Sequence, residues 1–315
     1  MSAALLIGYG SVGSKHANIL GSRFSRVDVV DRRTSLGVTA RSTGLNFFET
    51  VSDLKKNSGY DLVVIATWAD SHLPLVREIL ERLTLRAILI EKPLADSVSA
   101  ANKILELCHA ENIKVACNFT RSFGMFVPQL RSYFTEQRLK VMRIRWGQRN
   151  SCLCTVGIHW FNLAENFFES DCSDLSGRCY YEGYNPRSDA LRELRGELYF
   201  SFPTGQSLEL STSFDTDGVI FETESGQKFS MKKNQLYSLS NGETALVLSL
   251  DWSFEKGVLD AYRSVQYSKE IESKNIYSTQ AYFHLILSGL DNPQVKKAML
   301  DNDVEWLDQY VFPVT

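Results

Sequence analysis

Long hydrophobic runs are absent from this sequence. Apolar stretches such as residues 62–66 and 87–90 have only the length of β-strands, whereas a helix needs about 20 apolar residues to cross a bilayer. The first residues contain no basic segment, and their apolar run stops at Gly8. A secretory signal would need both a basic segment and a longer run. We therefore predict a first strand at this end and no membrane partner.

Cysteine is scarce, and no pair has the Cys-x-x-Cys spacing. The chain has 6 cysteines in 315 residues, too few for the disulfide framework of a small secreted protein. Four of them, Cys152, Cys154, Cys172 and Cys179, lie near one another in sequence, but their spacings are not those of structural zinc sites. We predict reduced thiols, no bound metal and a cytoplasmic location.

An excess of basic residues is also missing. The 34 Lys and Arg residues against 37 Asp and Glu residues give a formal net charge of −3. Proteins that grip nucleic acid usually carry a basic patch or a basic excess. The balance predicts a small-molecule partner and no nucleic acid.

What remains is an ordinary globular composition, 44% hydrophobic and 23% charged, in a chain long enough for two domains. In the first third, apolar runs at 4–7, 26–30, 61–66, 86–90 and 113–117 alternate with segments of helical spacing. This alternation predicts an α/β fold with a doubly wound parallel sheet of the Rossmann type.

The second part of the chain has a different pattern of predicted strands and helices. A strand pattern at 139–146 and a helical pattern at 158–168 precede six short strand patterns between 198 and 250, joined by hairpin turns. We predict an α+β domain with a large open antiparallel sheet, and domain bounds of 1–120 and 121–315. Helical spacing returns after about Phe254 and runs through Leu285, Leu287 and Leu290. The pattern leaves open whether these last helices pack on the first domain.

A glycine motif follows the first strand. Gly8 suits the tight turn, Gly10 permits close approach of a pyrophosphate, and Gly13 permits helix–strand packing. The amides of Ser11 and Val12 then begin a helix whose N-terminus favours phosphate. Asp31 ends the second strand, where a carboxylate can accept both hydroxyls of an adenosine ribose. This combination predicts a dinucleotide site, against the alternative of a glycine-rich turn that binds nothing.

The cofactor type is less sharply defined. Arg32 and Arg33 follow Asp31, and a guanidinium there can stack on adenine or hold a 2′-phosphate. Asp31 would repel that phosphate, so we predict NAD and leave NADP open.

Three further polar clusters follow predicted strands. They contain Thr67, Trp68 and His72 after 61–66, Glu91 and Lys92 after 86–90, and Asn118 and Arg121 after 113–117. Ligands of open α/β sheets bind outside the carboxyl ends of the strands. These clusters and the glycine loop are therefore expected to line one crevice.

Taken together, the motifs resemble those of the Gfo/Idh/MocA family of sugar and cyclitol oxidoreductases. The resemblance rests on Gly8-Tyr9-Gly10-Ser11-Val12-Gly13-Ser14-Lys15-His16, Ala66-Thr67 with His72, Glu91-Lys92-Pro93, Asn118 with Arg121, and Gly157-Ile158-His159. It implies a Rossmann domain followed by a substrate domain, hydride transfer between NAD(P) and a hydroxyl or carbonyl carbon, and a carbohydrate-like substrate. It also implies homodimers or homotetramers formed through an apolar face of the open sheet.

The resemblance implies roles for individual residues. His159 matches the catalytic base, a task that an imidazole suits, and Lys92 would donate a hydrogen bond to the same substrate oxygen. Substrate contacts fall on Asn118, Arg121, Thr155 and Asn162, and cofactor contacts on Gly8, Gly10, Ser11, Val12, Gly13, Asp31, Arg32, Thr67, Trp68, His72 and Glu91. The competing interpretations are an exposed turn at Lys92, helix caps at His72, Asn118 and His159, and a structural His16.

The sequence departs from the family's usual pattern beside His159. Family members usually have a carboxylate four residues before this histidine and another three residues after it, and here those positions are Thr155 and Asn162. A threonine can accept a hydrogen bond from an imidazole but cannot stabilise its charged form. Two hypotheses follow: a working oxidoreductase with a substituted dyad, or a catalytically impaired dinucleotide-binding protein with a regulatory or assembly role.

Overall fold

The computed structural model describes residues 2–149, 151–185, 188–216, 218–240, 243–267, 282 and 312–313. They form two units. The first contains residues 2–123 together with 254–267, and the second contains the described residues between 124 and 253 with residues 282 and 312–313.

Strands and helices alternate through the first unit up to residue 118. In chain order they are β1 (Ala3–Ile7), α1 (Ser11–Gly21), β2 (Arg26–Val30), α2 (Leu36–Ser42), β3 (Asn46–Phe48), β4 (Gly59–Tyr60), β5 (Leu62–Ile65), α3 (His72–Arg82), β6 (Thr84–Leu85), β7 (Ala87–Glu91), α4 (Val98–Ala110) and β8 (Lys114–Asn118). Every residue of β1, β5 and β7 is buried. Their continuous Val, Leu and Ile runs suit a sheet that is covered on both faces.

Six of these strands form a parallel sheet in the order β3-β2-β1-β5-β7-β8. Ile7 pairs with both Val30 and Ile65, and Glu91 pairs with Asn118, so the strands end at nearly the same level. The order along the sheet reverses beside β1, which is where an open α/β sheet forms its binding crevice. The predicted doubly wound fold is confirmed.

The second unit is built on a large sheet. Its elements are α5 (Phe126–Glu136), β9 (Val141–Gly147), α6 (Ile158–Phe168), β10 (Asp174–Asn185), β11 (Ser188–Ser201), β12 (Ser207–Ser211), β13 (Val219–Thr223), β14 (Lys228–Lys232), β15 (Gln235–Ser240) and β16 (Glu243–Ser249). A π-helical turn, Leu153–Gly157, leads into α6. The predicted helix at 158–168 and the predicted α+β class are confirmed.

The large sheet has the order β16-β15-β14-β13-β9-β12-β11-β10-β17, where β17 is Phe312–Pro313. All its pairs are antiparallel except β9 with β12, which is parallel. One face packs on α5 and α6 through an aromatic cluster in which Phe134 contacts Phe167, Phe221 and Phe229. The sequence pattern missed β10 and the first half of β11, because charged residues and glycines interrupt their apolar alternation.

The opposite face of this sheet is of mixed character on β9, β12 and β13. The positions that point away from α5 and α6 include charged residues, serines and Ile220. Arg145 Nε lies 2.6 Å from Glu209 Oε2, and Arg143 Nη1 lies 3.7 Å from Glu222 Oε2. Cross-strand ion pairs therefore add charge to the face that was expected to be apolar.

Helix α7 (Phe254–Tyr267) belongs to the first unit. Val258, Ala261 and Tyr262 are buried in the same core as Leu6 and Leu89. This answers the question left open by the sequence for α7, whereas Leu285, Leu287 and Leu290 lie outside the described residues. The first unit otherwise ends at Phe123, near the predicted bound at 120.

Two features are absent from the described residues. None of their helices is long and apolar enough to cross a membrane, and none of their His, Cys, Asp and Glu residues cluster in a way that could hold a metal ion.

Candidate functional site

The three glycines of the loop between β1 and α1 differ in how much space a side chain would have. Gly8 has φ +95°, and a Cβ there would lie 2.7 Å from the Ala66 carbonyl oxygen. A Cβ on Gly13 would collide with the Gly8 carbonyl oxygen. At Gly10, by contrast, the nearest atom to a Cβ is a guanidinium nitrogen of Arg33 at 3.6 Å, an ordinary contact. The fold itself therefore needs Gly8 and Gly13, whereas it leaves room for a side chain at Gly10.

The helix that follows presents its amide groups to this loop. Helix α1 begins at Ser11, and no side chain caps it at Gly10. The first amides of a helix have no partner within the helix and carry the positive end of its dipole. The backbone amides of Ser11, Val12 and Gly13 thus have the chemistry that a helix N-terminus offers to an anion.

Asp31 stands at the end of β2 beside the same loop. Its Oδ2 accepts hydrogen bonds from the Tyr9 amide and Arg33 Nη2, both at 2.7 Å, and its Oδ1 accepts from the Arg33 amide and Nε, both at 2.9 Å. Burial alone raises the pKa of Asp31, but these hydrogen bonds outweigh it and hold the pKa below its ordinary value. The carboxylate is therefore ionised at neutral pH.

Two arginines follow Asp31 in sequence, and the second of them contacts its carboxylate. Arg33 makes the two-pronged contact with the carboxylate, while the neighbouring Arg32 is exposed. The sequence predicted a cofactor contact for Arg32 because it could not distinguish the two. In the fold it is Arg33 whose guanidinium lies next to both Asp31 and Gly10.

The segment after β5 provides an exposed aromatic ring. Trp68 is 44% exposed and directly follows Thr67, whose Cγ2 would lie 2.9 Å from a Cβ on Gly8. His72, by contrast, is completely buried and lies 3.1 Å from the carbonyl oxygens of both Leu94 and Thr67. Burial lowers its pKa, against the opposite effect of the two carbonyl oxygens. His72 thus lies between the segments that contain Thr67 and Leu94. This position favours a structural role over the predicted direct contact with cofactor.

The segment after β7 carries the predicted catalytic lysine. The peptide bond between Lys92 and Pro93 is cis, and Lys92 is half-buried. Directly before it, Glu91 Oε1 accepts hydrogen bonds from Asn118 Nδ2 at 2.6 Å and from His16 Nε2 at 2.8 Å. The carboxylate of Glu91 thus faces the protein interior beneath the turn.

Further buried residues support this turn. His16 is completely buried and has Tyr262 Oη 2.6 Å from its Nδ1. The sequence reading treated His16 as structural, and Tyr262 carried no signal beyond helical spacing. Asn118 is 1% exposed, which favours support of Glu91 over the predicted substrate contact. Arg121 is half-buried, and burial lowers its pKa.

The second unit holds the remaining predicted residues around the start of α6. His159 is the second residue of this helix and is half-buried, and Thr155 lies in the π-helical turn before it. Asn162 follows one turn later and is 1% exposed, so its side chain is better placed to support the helix than to reach a substrate. Gly157 allows the turn to pass Tyr282, whose hydroxyl donates to the Leu153 carbonyl at 2.6 Å.

The first unit is a dinucleotide-binding Rossmann domain by both its strand order and its loop. Residues 3–119 match the model of the Gfo/Idh/MocA family, described as an oxidoreductase family with an NAD-binding Rossmann fold. Inositol 2-dehydrogenase of Rubrobacter xylanophilus is 40% identical over 106 residues, which make up 32% of this chain and only 30% of that protein. Residues 3–119 are thus similar to the NAD-binding domain of the Gfo/Idh/MocA family, the family that the sequence motifs resemble.

Solved structures extend the likeness to the fold of nearly the whole chain. An oxidoreductase from Agrobacterium radiobacter in complex with NAD+, L-tartaric acid and magnesium has a TM-score of 0.68 at 15% identity, covering 90% of this chain and 94% of its own. UDP-N-acetylglucosamine 3-dehydrogenase from Acidithiobacillus ferrooxidans has a TM-score of 0.67 at 13% identity, covering 94% and 97%. At these identities the match establishes the fold alone.

A substitution in the glycine loop can distinguish an effect on folding from an effect on NADH binding. Gly10→Ala should leave the unfolding midpoint close to that of the parent, because its methyl group meets no protein atom closer than 3.6 Å. It should weaken NADH binding by about tenfold or more, since the methyl group occupies the space of the pyrophosphate. Fluorescence titration and thermal unfolding measure the two effects.

Gly21→Ala is the matched control, because it lies on the same helix and its Cβ would meet nothing within 4 Å. It should bind NADH like the parent. Parent-like affinity in Gly10→Ala would show that the loop does not hold the dinucleotide.

Proposed function

We propose that this protein is an NAD(P)-dependent oxidoreductase that transfers hydride between nicotinamide and a hydroxyl or carbonyl carbon of a sugar, sugar nucleotide or cyclitol. The observation that carries the proposal is that two features lie at the same edge of the parallel sheet in the first unit. The glycine loop with Asp31 lies after β1 and β2, and the Lys92 turn lies after β7 of the same sheet. One provides a place for a dinucleotide, and the other provides a cationic donor at the same edge of the sheet.

The residues present fit NAD. The α1 amides would hold the pyrophosphate, the Asp31 carboxylate would accept the ribose hydroxyls, and Trp68 offers an exposed ring beside the loop. When bound, the cofactor supplies or removes the hydride. Everything else in the reaction depends on groups of the chain that move a proton and stabilise charge.

Lys92 and His159 are the groups we propose for that task. Oxidation of a secondary alcohol removes the hydroxyl proton as hydride leaves the same carbon, so a base and a hydrogen-bond donor are both needed. The His159 imidazole would accept the proton, and the Lys92 ammonium would stabilise the negative charge that develops on the oxygen. Arg121 and Thr155 would hold the substrate, while the buried Asn118 and Asn162 would support the Lys92 turn and helix α6.

A second candidate function rests on the side chains beside His159. Neither Thr155 nor Asn162 can stabilise an imidazolium by charge, as a carboxylate would. This favours, as the alternative, a catalytically impaired protein that binds a dinucleotide for a regulatory or assembly role. NADH binding without turnover of any sugar nucleotide or polyol would support that alternative.

The roles of Lys92 and His159 are tested by single substitutions. Lys92→Ala and His159→Asn should each lower kcat by about 10² to 10⁴, the usual contribution of general acid–base catalysis. NADH affinity should change by less than about twofold, because neither side chain is assigned to the adenosine or pyrophosphate. Screening sugar nucleotides and polyols at the nicotinamide absorbance band gives the turnover, and fluorescence gives the affinity.

Lys103→Ala is the control for loss of a lysine. Lys103 pairs with Glu106 on the surface of α4, so its removal should leave kcat unchanged. If Lys92→Ala turned over like the parent, the proposed role of Lys92 would be excluded.

Cofactor preference is tested at Asp31. Asp31→Asn keeps an oxygen that can accept from Tyr9 but removes the charge that repels a 2′-phosphate, so the affinity ratio should shift about tenfold toward NADPH. Arg33→Ala should shift it in the opposite direction, because Arg33 is the guanidinium placed beside Asp31. Titration of both variants with both cofactors provides the ratios. An unchanged ratio in both would refute the assignment of this pair to the ribose.

We also propose a cytoplasmic protein that assembles as a homodimer or homotetramer. Cys108, Cys117, Cys152 and Cys172 form no disulfide, which is what a reducing compartment would give. The charged outer face of β9, β12 and β13 predicts an assembly that weakens with salt. Light scattering at low and high salt should give a mass that is a multiple of 35.7 kDa, and a monomer under both conditions would contradict the assembly.

A further inference from the structure

A continuous line of hydrogen bonds connects helix α7 to the turn that carries Lys92. Tyr262 Oη lies 2.6 Å from His16 Nδ1, and His16 Nε2 lies 2.8 Å from Glu91 Oε1. Glu91 is the residue before Lys92. The line therefore runs from α7 through α1 to the end of β7, entirely within the first unit.

The charge on Glu91 fixes the donor in one of these contacts. Burial and the negative charge of Glu91 raise the pKa of the Tyr262 hydroxyl well above its ordinary value, so it keeps its proton. The ionised Glu91 carboxylate can only accept, so His16 Nε2 donates to it.

The Glu91 carboxylate is held as an anion in this line. Burial alone raises its pKa, but the hydrogen bonds and charges supplied by His16, Asn118 and Lys92 outweigh burial and lower it. An ionised carboxylate in the interior is expensive to reorient, because each of its hydrogen bonds compensates lost hydration. The orientation of Glu91, and with it the start of the Lys92 turn, is set by its partners.

We propose that His16 and Tyr262 are positioning residues for Lys92, acting through Glu91 to fix the turn that presents the lysine. Neither residue is assigned to substrate or cofactor, and both are buried at 4% exposure or less. The inference rests on the proposed function, in which Lys92 takes part in the reaction. It adds that α7 helps to determine whether that lysine is correctly placed.

The test compares two buried tyrosines whose hydroxyl groups have different hydrogen-bond partners. Tyr262 and Tyr60 are each 4% exposed, and each hydroxyl makes a hydrogen bond, that of Tyr60 being donated to Asp28 Oδ2 at 2.7 Å. Tyr60 lies in β4, directly before the start of β5, at the amino ends of the strands. Tyr262→Phe and Tyr60→Phe should therefore lower the unfolding midpoint to a similar degree.

Only Tyr262→Phe should disturb the lysine. We expect its kcat to fall by about tenfold while NADH affinity stays within about twofold, and Tyr60→Phe to keep the parent kcat. His16→Gln, which retains a donor for Glu91, should recover more activity than His16→Ala. Should Tyr262→Phe fail to fold, the comparison of these two His16 variants with Tyr60→Phe decides the question.

A readout without turnover keeps this inference separate from the proposed function. Reductive ¹³C-methylation of the ligand-free protein gives a Lys92 resonance, assigned by its loss in Lys92→Arg. Tyr262→Phe should shift this resonance, and Tyr60→Phe should leave it in place. If both leave it in place, or both lower kcat equally, the positioning role is refuted. If the parent has no turnover but the resonance shifts in Tyr262→Phe alone, the positioning of Lys92 stands while its catalytic role fails.

Discussion

A carboxylate inside a protein loses its hydration and has to be surrounded by donors that replace it. Glu91 is such a group, and the donors come from separate parts of the chain: Asn118 from the neighbouring strand and His16 from the first helix. Tyr262, from a helix that follows the second unit in sequence, completes the set by fixing His16. The turn that carries Lys92 is therefore built around one buried charge.

The sheet explains how the rest of the site is assembled. Because the strands are parallel and end at nearly the same level, the residues that follow them meet at one edge without any long loop. The residues at that edge of the sheet have different tasks. Gly8 and Gly13 satisfy the backbone, Gly10 leaves room for a ligand, and Asp31 places a fixed negative charge beside it.

Much of the first unit could be predicted from sequence because its information is local. Continuous apolar strands, a glycine motif and polar residues at strand ends are all visible within short windows. The short strand β3 was missed since its three residues are too few to show a period. The choice of Arg33 over Arg32 depends on side-chain direction at the end of β2, which spacing does not reveal.

Contacts between distant segments could not be predicted at all. Nothing in the sequence connects Tyr262 with His16, since a tyrosine at helical spacing is usually part of a core. The outer face of the large sheet was expected to be apolar, yet Arg145 and Glu209 pair across it. Such pairs depend on strand register, and register is set by the assembled sheet.

The central claim is that the glycine loop, Asp31 and the Lys92 turn form one dinucleotide site. A crystal structure of the chain with NAD+ tests it most directly. We expect the pyrophosphate at the N-terminus of α1, the adenosine ribose at Asp31 and the nicotinamide beside Lys92. An ordered cofactor that avoids the Lys92 turn, or a saturated crystal with no cofactor at the glycine loop, would contradict this account.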